Sequence, residues 1–444
     1  MPTELLQQSA PLSADAHLVD SGERLHLLVP NGNRLYDVDA EIYERIERSL
    51  RAGDSAAIGA LLEGLGVDAP RYVDDSPPHA PPVRALSLAV AQKCNLGCSY
   101  CYAQGGTFGG AATSMELRTA LQSVDLLFSD VTAGERVNLT FLGGEPLLNR
   151  PVIHAATRRA RRIAEDRGAR VTFSITTNGT QLEEADGDFF EQHGFAVTVS
   201  LDGPATVHDR LRPYLSGRGS FDRVLERVAP LLERQRSMQV SARVTVTPQN
   251  LDLKETLDTF VGLGFHSVGF SPLLRAPNGA HELDAAGLEA MLGEMVRCGT
   301  EFERRVRAGE RYPFANAVNA MREIHRGTHR PYPCGAGAGY LGVAADGALA
   351  ACHRFVGDEE GALGDVAGGV DRTRQARWLS ERHVHRQEPC RSCWARYMCG
   401  GGCHHEVIAR DRPACGYIRG WLHWCIGAYA RLSRARPDYF AASP

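Results

Sequence analysis

Residues 94–101 read Cys-Asn-Leu-Gly-Cys-Ser-Tyr-Cys, so three cysteines stand at C-x3-C-x2-C spacing directly after the apolar run at 86–91. Three thiolates on one short loop can hold three corners of a cubane iron–sulfur cluster and leave the fourth iron without a protein ligand. Clusters that only transfer electrons usually have four protein ligands, whereas this set leaves one iron for an outside molecule. For three cysteines alone, a zinc knuckle or a disulfide with a spare thiol is an equal alternative.

The composition narrows the class of protein. A chain of 444 residues is long enough for two or three domains. The net charge of −4 gives no electrostatic reason to expect nucleic-acid binding. No apolar run approaches the ~20 residues of a membrane-spanning helix, and the N-terminus lacks a signal-peptide core. We therefore predict a cytoplasmic protein that binds neither nucleic acid nor membrane.

The cysteine content points to metal. Twelve cysteines in a reducing compartment indicate metal ligands or catalytic thiols rather than disulfides. Most of them lie after residue 330 and form a second group far from the first loop. Cys298 stands alone in a helical stretch and is predicted to be a buried structural thiol.

From residue 84 the sequence alternates between apolar strands and amphipathic helices, of which the helix at 220–237 is the clearest. The predicted strands are 84–91, 136–142, 170–176, 196–201, 239–247 and 267–274. Six β/α units are too few for a closed eight-stranded barrel, so the fold class is α/β with a partial (β/α)6 TIM-type barrel. Reactive groups of such folds lie at the C-terminal ends of strands, which is where the three-cysteine loop stands.

A small unit precedes this core. Three short strands at 17–19, 25–29 and 34–38 are followed by a helix capped by Asp39 and by a second helix at 56–65. The proline-rich stretch 74–82 reads as a linker. The predicted domains are therefore 1–82, 83–315 and 316–444.

Polar motifs follow the second, third and fourth strands. Gly143-Gly144-Glu145-Pro146 offers two glycines beside which backbone can approach a ligand, and Glu145 offers a carboxylate suited to an ammonium group. Ser174 and Asn178 close the third strand, although Asn178 precedes a glycine and is equally suited to a turn. Asp202 closes the fourth strand. The charged residues at 208–212 that follow could line a cavity mouth, but a solvated loop is the commoner explanation.

Together these motifs resemble the radical S-adenosylmethionine (SAM) superfamily. The resemblance implies that Cys94, Cys98 and Cys101 bind a [4Fe–4S] cluster whose open iron is chelated by SAM, and that an electron passed to the sulfonium yields a 5′-deoxyadenosyl radical. It also implies a set of SAM-binding residues: Tyr102, Gly143, Gly144, Glu145, Ser174, Asn178 and Asp202. No residue is identified as the general base.

The later cysteines resemble the SPASM domain, a cysteine-rich extension that carries two auxiliary [4Fe–4S] clusters in radical SAM enzymes acting on peptides. The implied ligands of the first auxiliary cluster are Cys334, Cys352 and Cys403, and those of the second are Cys390, Cys393, Cys399 and a late cysteine. We prefer Cys415 to Cys425, because Cys415 stands just before a predicted helix, Tyr417 to Arg431, whose N-terminus favours a thiolate. Two zinc sites are the alternative reading of these cysteines.

Two details concern the first auxiliary cluster and the reaction. Tyr340 stands where some relatives have a further cysteine, so the resemblance implies three protein ligands for that cluster and an iron open to a substrate thiolate. His353 follows Cys352, whereas relatives that form formylglycine in sulfatases have an aspartate there. His353 is either a base or a hydrogen-bond donor to a cluster sulfur.

The string Cys352-His353-Arg354-Phe355-Val356-Gly357 resembles maturases that form thioether crosslinks in cysteine-rich peptides and in quinohemoprotein amine dehydrogenase. We therefore predict a radical SAM peptide maturase that forms a thioether or carbon–carbon link. Formylglycine formation, small-molecule chemistry and non-catalytic electron transfer are the alternatives. The implied partners are a precursor peptide with a leader segment and an electron donor such as flavodoxin or ferredoxin. The 1–82 unit resembles a winged-helix element that binds such a leader, and a simple N-terminal cap is equally compatible with it.

Overall fold

The computed structural model of the protein describes residues 2–10, 12–409 and 412–441. The helices are α1 Pro2–Gln8, α2 Ala40–Ala52, α3 Ser55–Gly64, α4 Leu117–Phe128, α5 Arg150–Arg167, α6 Glu184–His193, α7 Ala205–Leu211, α8 Phe221–Arg234, α9 Leu253–Gly262, α10 Ala285–Arg307, α11 Ala315–His325, α12 Arg372–Arg382, α13 Arg396–Cys399, α14 His404–Ala409, α15 Cys415–Ala435 and α16 Pro437–Ala441. The strands are β1 His17–Asp20, β2 Leu25–Val29, β3 Arg34–Val38, β4 Ala85–Gln92, β5 Thr113–Ser114, β6 Arg136–Gly143, β7 Arg170–Thr177, β8 Ala196–Ser200, β9 Gln239–Val246, β10 Ser267–Pro272, β11 Tyr340–Val343, β12 Ala348–Ala350, β13 Ala362–Asp365 and β14 Gly369–Val370. Within these ranges, no helix has the length and apolar character that a membrane crossing needs.

The chain divides into two compact units, each built from separate stretches. One unit contains Pro78–Leu283 and Gly335–Leu379. The other contains Met1–Pro77, Asp284–Cys334 and Ser380–Pro444. This division differs from the three consecutive domains expected from the sequence, whose boundaries stay a prediction.

The first unit, 78–283 with 335–379, is built on one sheet in which the six predicted strands lie side by side. Strands β4, β6, β7, β8, β9 and β10 pair in chain order, and every pairing is parallel. Among the described residues β10 has only β9 as a neighbour, so the sheet is open at that edge. Because parallel strands place all their C-terminal ends at one edge, the loops that follow them meet there.

Burial along the strands alternates and gives the sheet two unlike faces. Apolar residues such as Val171, Phe173 and Ile175 on β7 are buried. The positions between them, on β6 to β9, are partly buried or exposed, and most of them carry hydroxyl groups: Thr140, Thr172, Ser174, Thr176, Thr198, Ser200, Ser241 and Thr245. One face is therefore part of the apolar core, and the other is a hydroxyl-lined surface.

The sheet extends beyond the predicted barrel. Strand β11 pairs parallel with β4, and β12, β13 and β14 continue the sheet in antiparallel order. These strands come from residues 340–370, which the sequence assigned to a separate C-terminal domain. Backbone pairing with β4 joins them to the core, and no hydrophobic pattern within 340–370 signals that long-range pairing.

The second unit includes the small N-terminal fold expected from the sequence. Strands β1, β2 and β3 form an antiparallel sheet, and α2 and α3 cover it through a core that contains Leu27, Ile46 and Leu62. The Asp39 carboxylate accepts a hydrogen bond of 2.8 Å from the Ile42 amide, which is the expected helix cap. In the described chain β3 has β2 as its only neighbour, so its outer edge is available for pairing.

Candidate active site

The three-cysteine loop follows β4 at the edge where the strands end. All three thiols are free and partly buried. Two hydrogen bonds reach the Cys94 sulfur, from the Leu96 amide at 3.4 Å and from the Asn178 side chain at 3.6 Å. Such N–H···S contacts stabilise cluster-bound thiolates.

The three thiols act on one another electrostatically. Burial, together with the thiolates of Cys101 and Cys94, raises the pKa of Cys98 to about 11, although the Arg212 charge lowers it. Crowded, buried thiolates are unfavourable unless a cation compensates their charge. Three free thiols with N–H donors aimed at sulfur therefore fit an iron–sulfur cluster.

The two glycines of the 143–146 motif serve the protein backbone. A Cβ on Gly143 would lie 2.2 Å from the Ala91 carbonyl oxygen. One on Gly144 would lie 2.4 Å from the Lys93 carbonyl oxygen and 2.7 Å from Gly106. The sequence analysis expected these glycines to make room for a ligand. In the structure they let the end of β6 lie against the residues that lead into the cysteine loop, and their contact with SAM stays a prediction.

Replacing Gly144 with alanine should therefore destabilise the protein by about 1–3 kcal/mol, because both atoms that the new methyl group would strike belong to backbone. The matched control is Gly262→Ala at the end of α9, where an added Cβ meets nothing within 4 Å. The urea midpoint should fall for G144A and stay or rise for G262A. Equal midpoints would contradict this packing role.

Glu145 joins two of the loops at this edge. Its carboxylate is fully buried and accepts hydrogen bonds from the Thr177 hydroxyl and the Asn178 amide, both at 2.7 Å, and from the Leu147 amide at 3.1 Å. Burial raises the pKa of the Glu145 carboxyl, and these hydrogen bonds oppose the rise. The carboxylate thus holds the loop of Asn178 in place, and its contact with an ammonium group stays a prediction.

Asn178 links that loop to the cysteines. Its side-chain amide donates to Asn95 at 2.9 Å as well as to the Cys94 sulfur. Its side-chain oxygen accepts from the amide and hydroxyl of Thr180, which is the turn geometry expected of an Asn-Gly pair. Both roles considered for Asn178, turn residue and site residue, are therefore compatible with the structure.

Ser174 lies within β7 on the hydroxyl-lined face, before the strand end. Its hydroxyl shares a hydrogen bond of 2.7 Å with Thr140 on β6. Ser174 thus lies on the hydroxyl-lined face of the sheet, and its contact with SAM stays a prediction.

Asp202, Tyr100 and Arg212 form a buried polar cluster. The Tyr100 hydroxyl donates to the Asp202 carboxylate, and Arg212 donates to the Tyr100 oxygen at 2.6 Å. Arg212 also lies 3.7 Å from the same carboxylate oxygen. Burial raises the pKa of Asp202, and the Arg212 charge opposes the rise. Asp202 is therefore occupied by protein groups.

The expectation that residues 208–212 form a solvated loop is wrong for two of them. His208 is fully buried, and its ring bonds the Ser220 hydroxyl at 3.0 Å. The Arg212 side chain is only 11% exposed. Arg210, by contrast, is exposed. The charge run hides this difference because α7 buries one face, on which His208 and Leu211 stand three residues apart, and leaves Arg210 on the other.

Tyr102 lies among aromatic and charged groups near the predicted first auxiliary site. Its ring contacts Phe108 and His353, and the Arg354 guanidinium lies 5.2 Å from its centre. Burial raises the pKa of Tyr102. His353 in turn shares a 2.7 Å hydrogen bond with the Tyr340 hydroxyl, which also bonds Ser87 on β4 at 2.7 Å. Tyr340 thus fixes the orientation of His353, a role the sequence did not suggest.

In the second unit, four later cysteines act on one another electrostatically. Burial, together with the thiolates of Cys399, Cys415 and Cys393, raises the pKa of Cys390 to about 12, although the Arg412 charge lowers it. Backbone amides of Gly401 and Gly402 donate to the Cys399 sulfur and lower its pKa against the effect of burial. Four clustered thiols with N–H donors fit the predicted second auxiliary cluster.

The structure separates the two candidates for the fourth ligand. Cys415 begins α15 and acts electrostatically on Cys390, Cys393 and Cys399. Cys425 is fully buried within α15, and burial alone raises its pKa. Cys298 is likewise fully buried, within α10. The geometry favours Cys415, and cluster binding itself stays a prediction.

The predicted ligands of the first auxiliary cluster are divided between the units. Cys334 and Cys403 belong to the second unit, and both are exposed. Cys352 belongs to the first unit and is buried. This ligand set stays a prediction from the sequence.

Sequence reasoning missed several residues that build the site. Tyr100, Thr177, Tyr340 and Asn250 hold predicted residues by hydrogen bonds; Asn250, for example, donates to the Asp202 carbonyl at 2.9 Å. The only available signal was position, since most of them lie within three residues of a strand end or a cysteine.

Comparison with known proteins shows which family the strands and the three-cysteine loop resemble. Residues 88–261 match the family model described as the Radical SAM superfamily. A serine-type anaerobic sulfatase-maturating enzyme from Klebsiella aerogenes is 27% identical over 358 residues, which are 77% of this chain and 85% of the relative.

Solved structures show the same fold. The structure of native anSMEcpe with bound AdoMet and Cp18Cys peptide aligns with a TM-score of 0.65 at 19% identity, covering 81% of this chain and 100% of that one. Streptococcus suis SuiB bound to precursor peptide SuiA aligns with a TM-score of 0.53 at 14% identity, covering 90% and 97%. These likenesses confirm the predicted α/β fold class with its parallel sheet.

Proposed function

We propose, on the premise that residues 88–261 form a radical SAM domain, that this protein is an enzyme that modifies a peptide or protein by radical chemistry. The observation that carries the proposal is the three-thiol loop at the C-terminal edge of the parallel sheet, within the matched region. In this reading Cys94, Cys98 and Cys101 hold the first [4Fe–4S] cluster. When bound, the cluster and SAM supply an electron and a 5′-deoxyadenosyl group that removes a hydrogen atom from the substrate.

The residues of this chain prepare the site for that chemistry. Asn178 and the Leu96 amide orient the Cys94 sulfur, and Glu145 fixes the loop that carries Asn178. The hydroxyl-lined face of the sheet offers partners for polar atoms of SAM and of an extended substrate. We propose Tyr102, Gly143, Gly144, Glu145, Ser174, Asn178 and Asp202 as the residues nearest to SAM.

A peptide or protein substrate is supported by two further features. The chain has a second group of thiols, Cys390, Cys393, Cys399 and Cys415, suited to an auxiliary cluster that accepts an electron from the substrate. Relatives and structural neighbours are described as sulfatase-maturating or peptide-bound. We propose that the small N-terminal fold binds a leader segment along the open edge of β3, and that a flavodoxin or ferredoxin supplies the electron.

For the bond formed, we propose a thioether or carbon–carbon crosslink. The support is His353, held by Tyr340 beside Cys352 where sulfatase-maturating relatives have an aspartate. The second candidate is formylglycine formation, which the similarity to the Klebsiella aerogenes enzyme favours.

The decisive experiment incubates the anaerobically reconstituted full chain with SAM, dithionite and candidate precursor peptides that contain cysteine and serine. A crosslink and a serine-derived formylglycine both leave the peptide two hydrogens lighter, so the mass alone does not separate them. A thioether removes one thiol from alkylation by iodoacetamide, whereas formylglycine reacts with a hydrazide. We expect deoxyadenosine and a lighter peptide that does not react with hydrazide, with one protected thiol for a thioether and with every thiol alkylated for a carbon–carbon link.

Other outcomes would overturn parts of the proposal. A hydrazide-reactive peptide would establish the second candidate. Deoxyadenosine without any change in peptide mass would favour a small-molecule substrate. Absence of SAM cleavage under dithionite would favour an electron carrier, and zinc without iron or sulfide would exclude both readings.

A further inference from the structure

We propose that Arg212 is a positioning residue that directs its charge and its Nε–H at the Cys98 corner of the first cluster and makes that cluster easier to reduce. The inference rests on the proposed function, because it presumes that Cys94, Cys98 and Cys101 bind the cluster. The inference assigns to Arg212, a residue outside the cysteine loop, an effect on the reduction potential of the bound cluster.

The guanidinium of Arg212 is buried, and Tyr100 and Asp202 hold one of its nitrogen atoms. Its Nη1 donates to the Tyr100 hydroxyl at 2.6 Å and lies 3.7 Å from an Asp202 carboxylate oxygen. Asp202 is itself fully buried and accepts a further hydrogen bond of 2.9 Å from the Thr245 amide. The ion pair therefore has little solvent around it, and its charges act over a low local dielectric.

One donor of Arg212 has no partner. Within the described chain, the Nε of Arg212 is buried and makes no hydrogen bond. A buried guanidinium N–H without an acceptor is costly, and an acceptor that a bound cluster brings beside it would remove that cost.

The neighbour that can supply this acceptor is the Cys98 corner. Tyr100, which Arg212 binds, stands between Cys98 and Cys101 in the loop. The Gly97 amide donates to the Pro213 carbonyl at 2.8 Å, and the Ser99 amide donates to the Leu211 carbonyl, so the backbone of Cys98 lies opposite that of Arg212. A thiolate or cluster sulfide at this corner is an acceptor of the right charge for a guanidinium N–H.

The backbone keeps Arg212 in this position. Its amide donates to the His208 carbonyl at 2.7 Å, and its carbonyl accepts from the Ser220 hydroxyl at 2.6 Å. The Ser99 amide in the cysteine loop donates to the Leu211 carbonyl at 3.3 Å. The end of α7 and the cysteine loop are therefore tied together at adjacent residues.

A fixed positive charge beside a cluster stabilises the form that carries one more electron. Net charge and hydrogen bonds to the sulfurs are both determinants of cluster potential. Asp202 balances part of the guanidinium charge, but its carboxylate is already shared with Tyr100 and Thr245. We therefore expect Arg212 to raise the reduction potential of this cluster.

The test is a reductive titration of the anaerobically reconstituted full chain, followed by electron paramagnetic resonance. The first cluster is recognised among the three as the signal that changes when SAM is added, and dithionite or titanium(III) supplies the single electron. R212Q should lower the equilibrium constant for one-electron reduction about tenfold, which is a shift of about 59 mV to more negative potential. R212K should give a smaller shift, because lysine keeps the charge but lacks the Nε–H.

The matched control is Arg210→Gln, which removes the same charge from an exposed position two residues away and should leave the potential unchanged. If R212Q loses its cluster, R212K carries the test, and an unchanged R212K potential would overturn the proposal. So would a shift in R210Q as large as in R212Q, or an R212Q protein with lower SAM affinity at an unaltered potential. Absence of iron from the wild-type protein would instead refute the proposed function.

Discussion

The Cys98→Ala variant is expected to lose SAM cleavage, falling to the background rate of SAM breakdown under dithionite. Cys98 is one of the three proposed protein ligands of the first cluster, and the charges of Cys101 and Cys94 act on its thiol. Two remaining thiols would leave two irons without protein ligands, so the variant should contain about four fewer iron atoms per chain. Methionine release, deoxyadenosine and iron content are the three measurements.

The matched control for C98A is Cys298→Ala. Cys298 is fully buried in α10 and is far in sequence from every predicted ligand. It should keep wild-type iron content and SAM cleavage, with at most a modest loss of stability from the small cavity. Undiminished methionine release by C98A, with C298A behaving like wild type, would refute the radical SAM reading of this loop.

The second large effect is expected from Cys415→Ala. The Cys415 thiol lies among Cys390, Cys393 and Cys399, and removing it should leave the second auxiliary site with three ligands. We expect about four fewer iron atoms per chain and loss of the peptide product. Deoxyadenosine should still form, because the first cluster keeps its three cysteines.

Cys425→Ala is the natural comparison for C415A, since both residues lie on α15 and differ in surroundings. Cys425 is enclosed by apolar helix packing, so C425A should retain iron and product formation while losing some stability. The opposite pattern, with iron lost from C425A and kept in C415A, would assign the fourth ligand to Cys425.

The elements of the core were predictable because their signals are local. The six parallel strands and α8 begin and end within a few residues of the expected positions, since strand and helix periodicity is written in consecutive residues. The helix cap at Asp39 follows from the same kind of signal. The extension of the sheet by β11 to β14 was missed because it depends on pairing between β4 and residues about 250 positions later.

The candidate site likewise has features that the local sequence predicted and features that depend on long-range packing. Cysteine spacing and the 143–146 motif were enough to show the resemblance to the radical SAM superfamily, because the proposed ligands of the first cluster stand on one short loop. The sequence by itself thus determined the fold class, the first thiol group and the presence of a second. Tertiary structure alone decided that Gly143 and Gly144 accommodate backbone and that the side chain of Arg212 is largely buried. Each of these depends on which atoms meet after distant segments pack, and burial of a charge or a thiol is a property of that packing.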